Sequence, residues 1–372
     1  MIMRPHLIPS LCKLSLSIAL SLVAFPALAL PGTVVAWGSG QTNAPAGLNN
    51  VVALSTATDH TLALNADGTV VAWGNDSDGQ ADVPAGLSGV TAIAAGDFFS
   101  LALQSGGTVV AWGDDQYGQC HVPPSLSSVV AIAGGRAHSL ALKSDGSVVA
   151  WGSNNYGQCD IPPDLKNVVQ IVAAWDYSLA LRSDGTVVGW GADNSGQTDV
   201  PAGLANVIAI SGNINYGLAL KSDGTVVGWG QVPAFPAGLG TVKNIAAGED
   251  HALALLANGT VVAWGGDASG QIDIPQGLSS VGAIAAGWNY SVGLVVNGPV
   301  NSFVITNPRL SSSGFSVAVA TQSGKFYALE YKSSLDSSNW TTLSPVTGNG
   351  GLVTLTDASV AGDARFYRVV QQ

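Results

Sequence analysis

The sequence predicts an all-β protein: a seven-bladed β-propeller closed by its N-terminal strand and followed by a small C-terminal β-sandwich. Runs of Val, Thr and Trp alternate with Gly, Asn, Asp and Pro, a pattern that favours strands and tight turns over helices. A Trp-Gly pair recurs at intervals of 36, 39, 39, 39, 39 and 35 residues, and a period near 40 is typical of propellers and solenoids. The tryptophans of this pair are Trp37, Trp73, Trp112, Trp151, Trp190, Trp229 and Trp264.

One repeat, residues 129–165, shows how each blade is expected to form. It predicts three strands over "VAIAG", "HSLAL" and "SVVAWG", and a short fourth strand around "QCDIP". The turn "SDGS" between the second and third strands supplies the Asp-Gly pair that tolerates the positive φ of a tight hairpin. The proline after the fourth strand suits an edge, where no amide donor is needed.

Two half-repeats at the ends of this region predict that the propeller closes on itself. The first "GTVVAWG" segment, residues 32–38, has no preceding half, and the last "AIAAGWNYSVGL" segment, residues 283–294, has no following half. Because each completes the other, joining them gives seven whole blades without an open edge. We therefore expect residues 32–38 to pair beside residues 290–296. The alternative, an open solenoid, would be expected to carry caps.

Composition divides the chain into three segments. Residues 1–29 have a basic start, an apolar run and the small residues "ALA", so they predict a signal peptide and an exported protein that is secreted, periplasmic or held at the cell surface; an uncleaved anchor is the alternative. Residues 30–298 are expected to form the propeller. Residues 302–372 predict about six strands of an immunoglobulin- or fibronectin-like sandwich. Trp340 in this module is either a core residue or a carbohydrate-stacking one.

Charge and cysteine content exclude several classes of partner and site. The net charge is −11, and residues 33–298 contain 6 Lys and Arg against 20 Asp and Glu. Such an acidic surface repels nucleic acid and anionic membranes, so we expect neither nucleic-acid binding nor membrane insertion. Cys120 and Cys159 occupy equivalent places in successive repeats, too far apart for a disulfide, and predict two free thiols.

No constellation of residues in the repeats indicates catalysis, a metal or a cofactor. His60, His138 and His251 share one repeat position with Phe99, Tyr177, Tyr216 and Tyr290, so the position needs a ring rather than a titrating group and predicts a structural wedge. The Asp-rich loop at 74–82 lacks the spacing of a calcium loop. We expect a non-enzymatic protein without cofactor or metal.

The loops predict a binding face. In an up-and-down blade, the connection after the first strand and the turn after the third strand share one face, and these are the segments that differ most between repeats. Trp175 and Trp288 fall in such connections and are not needed by the Trp-Gly scaffold. Aromatic rings beside acidic groups suit the binding of a protein or peptide partner. We expect the scaffold itself to be a monomer. The candidate site residues are Phe98, Tyr117, Arg136, Tyr156, Trp175, Asp176 and Trp288. Alternatively, Trp175 folds down and plugs the mouth of the central channel.

The segment "HSLALKSDGSVVAWGSNNYGQ" resembles the regulator of chromosome condensation repeat in a short bacterial form, and is similar to the repeats of secreted β-lactamase-inhibitor propellers. The resemblance covers about residues 33–298. It implies a seven-bladed propeller, and the inhibitor-type relatives imply protein binding through the same face. Guanine-nucleotide exchange is the alternative function that the family implies, and carbohydrate or cell-surface binding by the C-terminal module is another.

Overall fold

The computed structural model describes residues 31–40, 42–296, 305–311, 314–320, 326–332, 341–348, 352–358 and 366–371. The predicted signal peptide, residues 1–29, and Trp340 lie outside these described residues. The chain divides into two compact units, Met1–Val300 and Asn301–Gln372. All regular elements in the described ranges are β-strands, as the composition predicts. None of the described segments forms a helix of the length and apolarity that a membrane span requires.

Antiparallel groups of three strands, here called blades, repeat along the first unit. A single strand, β1 (Gly32–Gly38), precedes them in the chain, and β20 (Val281–Ala286) and β21 (Tyr290–Val296) follow them. The strands of blades one to six are, in order, β2 to β4 (Val51–Thr56, His60–Asn65, Val70–Gly74), β5 to β7 (Val90–Ala95, Phe99–Gln104, Val109–Gly113), β8 to β10 (Val129–Gly134, His138–Lys143, Val148–Gly152), β11 to β13 (Val168–Ala173, Tyr177–Arg182, Val187–Gly191), β14 to β16 (Val207–Asn213, Tyr216–Lys221, Val226–Gly230) and β17 to β19 (Val242–Ala247, His251–Leu256, Val261–Gly265).

The predicted hairpin between the second and third strands is present in each blade. In blade three, Gly146 has a φ of 79°, and a Cβ there would approach the Cα of Asn167 to 3.2 Å. The Asp145 carboxylate accepts hydrogen bonds from the Ser147 amide at 3.0 Å and the Ser147 hydroxyl at 2.6 Å. These local bonds explain why the turn sequence is "SDGS" or a close relative.

The prediction of a fourth strand around "QCDIP", residues 158–162, is wrong, because this segment consists of turn and irregular backbone. Its amide donors are already used locally. The Cys159 amide donates to Asn154 Oδ1 at 2.8 Å, the Asp160 amide to the Gly157 carbonyl at 3.0 Å, and the Ile161 amide to the Cys159 carbonyl at 3.0 Å. A ladder to β10 would need these same donors, so each blade has three strands.

Strand β1 pairs with the far end of the unit. It runs antiparallel to β21 over seven residue pairs, from Gly32 opposite Val296 to Gly38 opposite Tyr290, which is the predicted pairing. The order β20-β21-β1 matches that of a blade, and these strands continue into blade one as a six-stranded sheet, β20-β21-β1-β2-β3-β4. Strand β1 also pairs with β2 at Gly32 and Val51.

The core lies between successive blades rather than inside one sheet. Trp190 of blade four, for example, packs with Leu140 and Leu142 of blade three. Its indole Nε1 donates to the carbonyl of Gln158 at 2.9 Å, in the turn that follows blade three. The seven scaffold tryptophans are 4 to 8% exposed, so the Trp-Gly repeat marks an inter-blade wedge.

The second unit contains two described sheets. One has the order β22 (Ile305–Ser311), β23 (Gly314–Ala320), β27 (Leu352–Asp357). In the other, β24 (Phe326–Lys332) pairs with β25 (Thr341–Thr342), β26 (Val346–Thr347) and β28 (Phe366–Gln371). Val317, Val319 and Leu355 from the first sheet form one buried cluster with Tyr327 and Leu329 from the second.

Candidate functional site

The connections after the first strands and the turns after the third strands meet on one side of the blades, as predicted. In blade three, the Ser153 amide of the turn donates to the Ala137 carbonyl of the connection at 2.8 Å. The equivalent bond joins Asn75 to Asp59 in blade one and Ala192 to Asp176 in blade four. We call this side of the first unit the loop face.

Two tyrosines stand on rigid turns of the loop face. The Tyr156 amide donates to the side-chain Oε1 of Gln158, which is fully buried, at 2.9 Å, and the Tyr117 amide donates in the same way to Gln119 at 2.9 Å. The backbone under each ring is therefore fixed. The rings themselves are 53% exposed for Tyr156 and 50% exposed for Tyr117, which is unusual for large aromatic side chains.

Four of the candidate residues form a contact cluster, here called the mouth cluster: Arg136, Trp175, Asp176 and Trp288. The two indoles meet edge to face, with ring centroids 5.5 Å apart and planes at 77°, although three blades separate their positions. The Arg136 guanidinium lies 4.9 Å from the centroid of the Trp175 ring, and its Nη1 is 3.6 Å from Asp176 Oδ2. A cation over an indole face with a carboxylate beside it is a stable pairing of charges.

Backbone and side-chain bonds hold the mouth cluster in place. The Arg136 amide donates to the Trp175 carbonyl at 3.0 Å, and the Gln158 side chain donates to Asp176 Oδ1 at 3.4 Å. Both tryptophans are half-buried, and Trp175 lines the central cavity. The Trp175 ring is thus partly in the cavity wall and partly open to solvent. Phe98 is half-buried, and in the described parts of the chain no ring-to-ring contact joins Phe98, Tyr117 or Tyr156 to the cluster.

A central cavity of about 330 Å³ lies below the mouth cluster and is lined by the first strands of the blades. Three of its polar side chains connect neighbouring blades. Ser55 accepts from the Ala95 amide at 2.9 Å, Ser211 accepts from the Ala247 amide at 3.0 Å, and Gln170 bonds both backbone groups of Ile210. Each bond ties the first strand of one blade to that of the next, so these residues stabilise the channel wall.

Asp97, which the sequence analysis did not single out, is a buried carboxyl in the cavity wall. It is 8% exposed, accepts a hydrogen bond from the Thr58 hydroxyl at 2.6 Å on Oδ1, and has no partner on Oδ2. Burial raises the pKa of Asp97 to about 7, an effect that Asp176 and Asp59 reinforce and that Thr58 and Arg136 oppose. A short polar residue in a variable loop carries no signal of burial in the sequence.

We expect the change in the free energy of unfolding caused by Asp97→Asn to be more favourable at pH 8 than at pH 5. The folded pKa is raised above the unfolded value of 3.8, so the fold favours the protonated acid; this contribution is complete below pH 3.8 and is lost as the pH rises through about 7. The difference between the two pH values is about 3 kcal/mol. Urea unfolding at both pH values measures it, with Asp145→Asn as control, because Asp145 is ionised throughout this range. An equal effect of Asp97→Asn at both pH values contradicts the assignment.

The three repeat histidines connect neighbouring blades. The Nε2 atoms of His60 and His138 lie 2.9 and 3.0 Å from the hydroxyls of Ser100 and Ser178, and that of His251 lies 2.9 Å from Ser291. All three rings are fully buried. Tyr177 and Tyr216, at the same repeat position, also reach the next blade, where their hydroxyls donate to backbone carbonyls. The position is thus a wedge with a polar tip.

Cys120 and Cys159 are free thiols, as predicted. Each is half-buried and donates to a backbone carbonyl at 3.2 Å, Cys120 to Asp114 and Cys159 to Ser153. Burial raises the pKa of Cys120 to about 12 and that of Cys159 to about 11, so both remain protonated at neutral pH. No group of three or more His, Cys, Asp or Glu side chains in the described parts of the chain is arranged to hold a metal ion.

The shortened turn after blade five changes the surface locally. The turns that follow blades one to four place a glutamine carbonyl on the indole Nε1 of the next blade, as Gln197 does for Trp229 at 2.8 Å. The shortened turn supplies no such partner, and Trp264 Nε1 is buried without one. Phe235 from this turn lies against the Trp264 ring at 5.6 Å and is 38% exposed. It is a partly exposed aromatic that the sequence analysis did not include.

Comparison with known families gives five matches to the regulator of chromosome condensation (RCC1) repeat, at residues 51–80, 90–119, 129–158, 168–197 and 242–271. These matches cover blades one to four and blade six. The family resemblance proposed from the sequence is confirmed. No curated protein sequence matches the chain.

Solved structures share the fold of the first unit. Prp20p from Saccharomyces cerevisiae, studied for its binding to Gsp1p and histones, is 20% identical, with a TM-score of 0.62 over 74% of this chain and 94% of that chain. Human WBSCR16 is 19% identical, with a TM-score of 0.57 over 71% and 98%. The ectodomain of the Physcomitrella patens receptor kinase CR4 is 20% identical, with a TM-score of 0.55 over 73% and 79%. At these identities the comparison establishes the fold alone.

Proposed function

We propose that this chain, whose first unit contains five segments that match the regulator of chromosome condensation repeat, is a non-enzymatic scaffold that binds a protein or peptide through its loop face. The observation that carries the proposal is the pair Tyr117 and Tyr156. Two large rings are held half-exposed on turns whose backbone is fixed by buried glutamines. Rigid exposed aromatics lose little conformational entropy on binding, which is why they dominate binding energy in interfaces.

Further features of the proposed scaffold follow from the same architecture. We propose that β20-β21-β1 is a seventh blade and that the ring is closed; the contacts of β2 with both β5 and β20 support this. The cluster shared by the two sheets of the second unit supports a β-sandwich. The pattern of residues 1–29 supports export. The assignment of the repeat histidines to inter-blade bonds supports a non-enzymatic role.

The proposal is tested by identifying the partner and measuring its affinity. Proteins that copurify with the full chain from the medium or cell envelope of the source cells are identified by mass spectrometry, and each is titrated by biolayer interferometry. We expect Tyr117→Ala/Tyr156→Ala to weaken the affinity at least about 10-fold, since central aromatic residues contribute about 2 kcal/mol each.

The control variant is Lys143→Ala/Lys221→Ala, which shortens two long side chains at the opposite ends of the blades. We expect it to leave the affinity within about 2-fold. A partner whose affinity is unchanged by the tyrosine variant and lowered by the lysine variant binds elsewhere, and this result overturns the proposed site. Trp175→Ala is a further variant, which we expect to weaken binding through loss of the mouth cluster.

A further inference from the structure

The charges of the first unit are divided unequally between its two sides. Within residues 42–296, the turns after the second strands and the adjoining connections carry five acidic residues and four basic ones: Asp67, Asp145, Asp164, Asp184 and Asp223 with Lys143, Lys166, Arg182 and Lys221. The loop face carries fifteen acidic residues and one basic one, Arg136; the sixth basic residue of this range, Lys243, lies in strand β17. The acidic residues are Asp59, Asp76, Asp78, Asp82, Asp97, Asp114, Asp115, Asp160, Asp176, Asp193, Asp199, Glu249, Asp250, Asp267 and Asp273.

Ion pairs enlarge this difference. On the opposite side, Lys143 pairs with Asp145, Arg182 with Asp164 and Lys221 with Asp223, each at 3.3 Å. On the loop face, the only Lys or Arg in the described segments is Arg136, and Asp176 already pairs with it at 3.6 Å. The formal excess of negative charge in the first unit therefore lies on the side that also presents the exposed tyrosines.

In one of the two tyrosine turns, an exposed carboxylate lies close to the residue that follows the tyrosine. In the turn of Tyr156, a Cβ added at the next residue, Gly157, would lie 3.4 Å from Asp160 Oδ2. Asp160 is exposed and accepts a hydrogen bond from Asn154. An aromatic face beside a carboxylate is the arrangement that Arg136 occupies internally between Trp175 and Asp176. The same arrangement, left open to solvent, suits an incoming guanidinium or ammonium group.

We propose that the loop face docks a segment of a protein partner rich in arginine and lysine. This inference rests on the proposed binding function and adds the chemistry of the partner. Its side chains would stack on Tyr117 and Tyr156 and pair with exposed carboxylates such as Asp160. An acidic partner is repelled by the excess negative charge, and nucleic acid is repelled for the same reason. The low positive charge of the face also means that few internal pairs must break before the partner binds.

The experiment uses a fluorescein-labelled (Arg-Gly)6 peptide as the probe and (Glu-Gly)6 as its counterpart, with the full chain and fluorescence anisotropy. Two triple variants remove the same charge from the two sides. Asp82→Asn/Asp160→Asn/Asp199→Asn acts on three exposed loop-face positions, where the equivalent residue of blade two is His121. Asp145→Asn/Asp184→Asn/Asp223→Asn acts on three exposed hairpin turns, where blade six already has Asn258 making the same bonds to Thr260.

We expect (Arg-Gly)6 to bind the unmodified chain in 50 mM salt, and the loop-face triple variant to weaken this binding about 10-fold, as expected for three surface charge pairs. We expect the opposite-side triple variant to change it less than about 2-fold, and Tyr117→Ala/Tyr156→Ala to weaken it about 5-fold or more. Raising the salt to 300 mM should also weaken it, because exposed charges are screened.

Equal losses in the two triple variants, or binding of (Glu-Gly)6 with the same affinity, overturn the proposal. The affinity of the natural partner for the same variants distinguishes a failure of this inference from a failure of the proposed function. If its affinity falls in the tyrosine variant but is unchanged in the loop-face triple variant and in high salt, the loop face binds a partner and the basic segment is wrong. If neither loop-face variant changes its affinity, the proposed function itself is wrong.

Discussion

Deletion of residues 1–38 is expected to destabilise the first unit by several kcal/mol relative to deletion of residues 1–30. The two truncations differ only in whether β1 is present. Trp37 within β1 is 6% exposed and packs in one cluster with Leu253, Leu255 and Ile284. Loss of a buried tryptophan alone costs about 3 to 5 kcal/mol.

Backbone pairing adds to the loss of Trp37. Strand β1 pairs with β21 over seven residues, so its removal exposes a row of amide donors and carbonyl acceptors along β21. An uncovered edge of this length also favours association between chains. We therefore expect the 1–38 truncation to show a lower urea midpoint and concentration-dependent aggregation on heating.

Urea unfolding followed by tryptophan fluorescence and thermal melts measure the effect. A chain lacking residues 302–372 is the control, because that segment forms its own compact unit, and its loss is expected to cost the first unit far less. Equal urea midpoints for the 1–30 and 1–38 truncations would show that the ends of the unit do not depend on one another, and the proposed closed ring would then be wrong.

The inter-blade packing was predictable because it is repeated. Trp-Gly, the hairpin turns and the orphan halves recur with one spacing, and a contact that each blade makes with the next leaves the same trace in every copy. The pairing of β1 with β21 was predictable because each end of the repeat region carries one unmatched half-repeat. The fourth strand failed for a local reason, since "QCDIP" has strand-like residues but its amides are used by the turn around Asn154 and Gly157.

The mouth of the channel was less predictable because its ring-to-ring contact joins residues of blades that are not neighbours. Trp175 and Trp288 stood out as departures from the repeat, but their edge-to-face contact joins loops three blades apart, and no spacing encodes it. Asp97 gave no signal at all. The buried glutamines did give one: a Gly-Gln pair recurs in the turns at Gln80, Gln119, Gln158, Gln197 and Gln271, and a polar residue retained in so many copies indicates a structural bond.

Acidification below pH 6.5 is expected to destabilise the first unit, because three histidines are buried in their neutral form. His60, His138 and His251 are fully buried, and their Nδ1 atoms have no hydrogen-bond partner among the residues that the structure describes. Burial lowers the pKa of His60 and His251 to about 4 and that of His138 to about 3. Protonation inside the fold would bury a positive charge between two blades, a cost that the Asp250 carboxylate, 3.8 Å from His251 Nδ1, offsets only in part for that ring.

The sign and size of the effect follow from proton uptake. The folded pKa values are below the unfolded value of 6.5, so the unfolded chain binds more protons between pH 6.5 and about 4; the stability is complete above pH 6.5 and is lost as the pH falls through this range. Three such groups give up to about 4 kcal/mol per pH unit. Asp97 acts in the opposite direction, because its raised pKa makes the folded chain hold one more proton than the unfolded chain in this range. The net slope near pH 5.5 is therefore about 2 kcal/mol per pH unit.

The test compares the unmodified chain with His60→Phe/His138→Phe/His251→Phe by urea unfolding at pH 5.0, 5.5, 6.0 and 6.5. Phenylalanine fits the position, since Phe99 occupies it in blade two with no exposure to solvent. The triple variant is expected to lose the slope and, with Asp97 still present, to show a weak opposite one. His121→Phe, whose side chain is 79% exposed, is the control and should retain the slope of the unmodified chain. A parallel loss of stability in the triple variant and the unmodified chain would mean that other groups, not these histidines, set the acid limit of the fold.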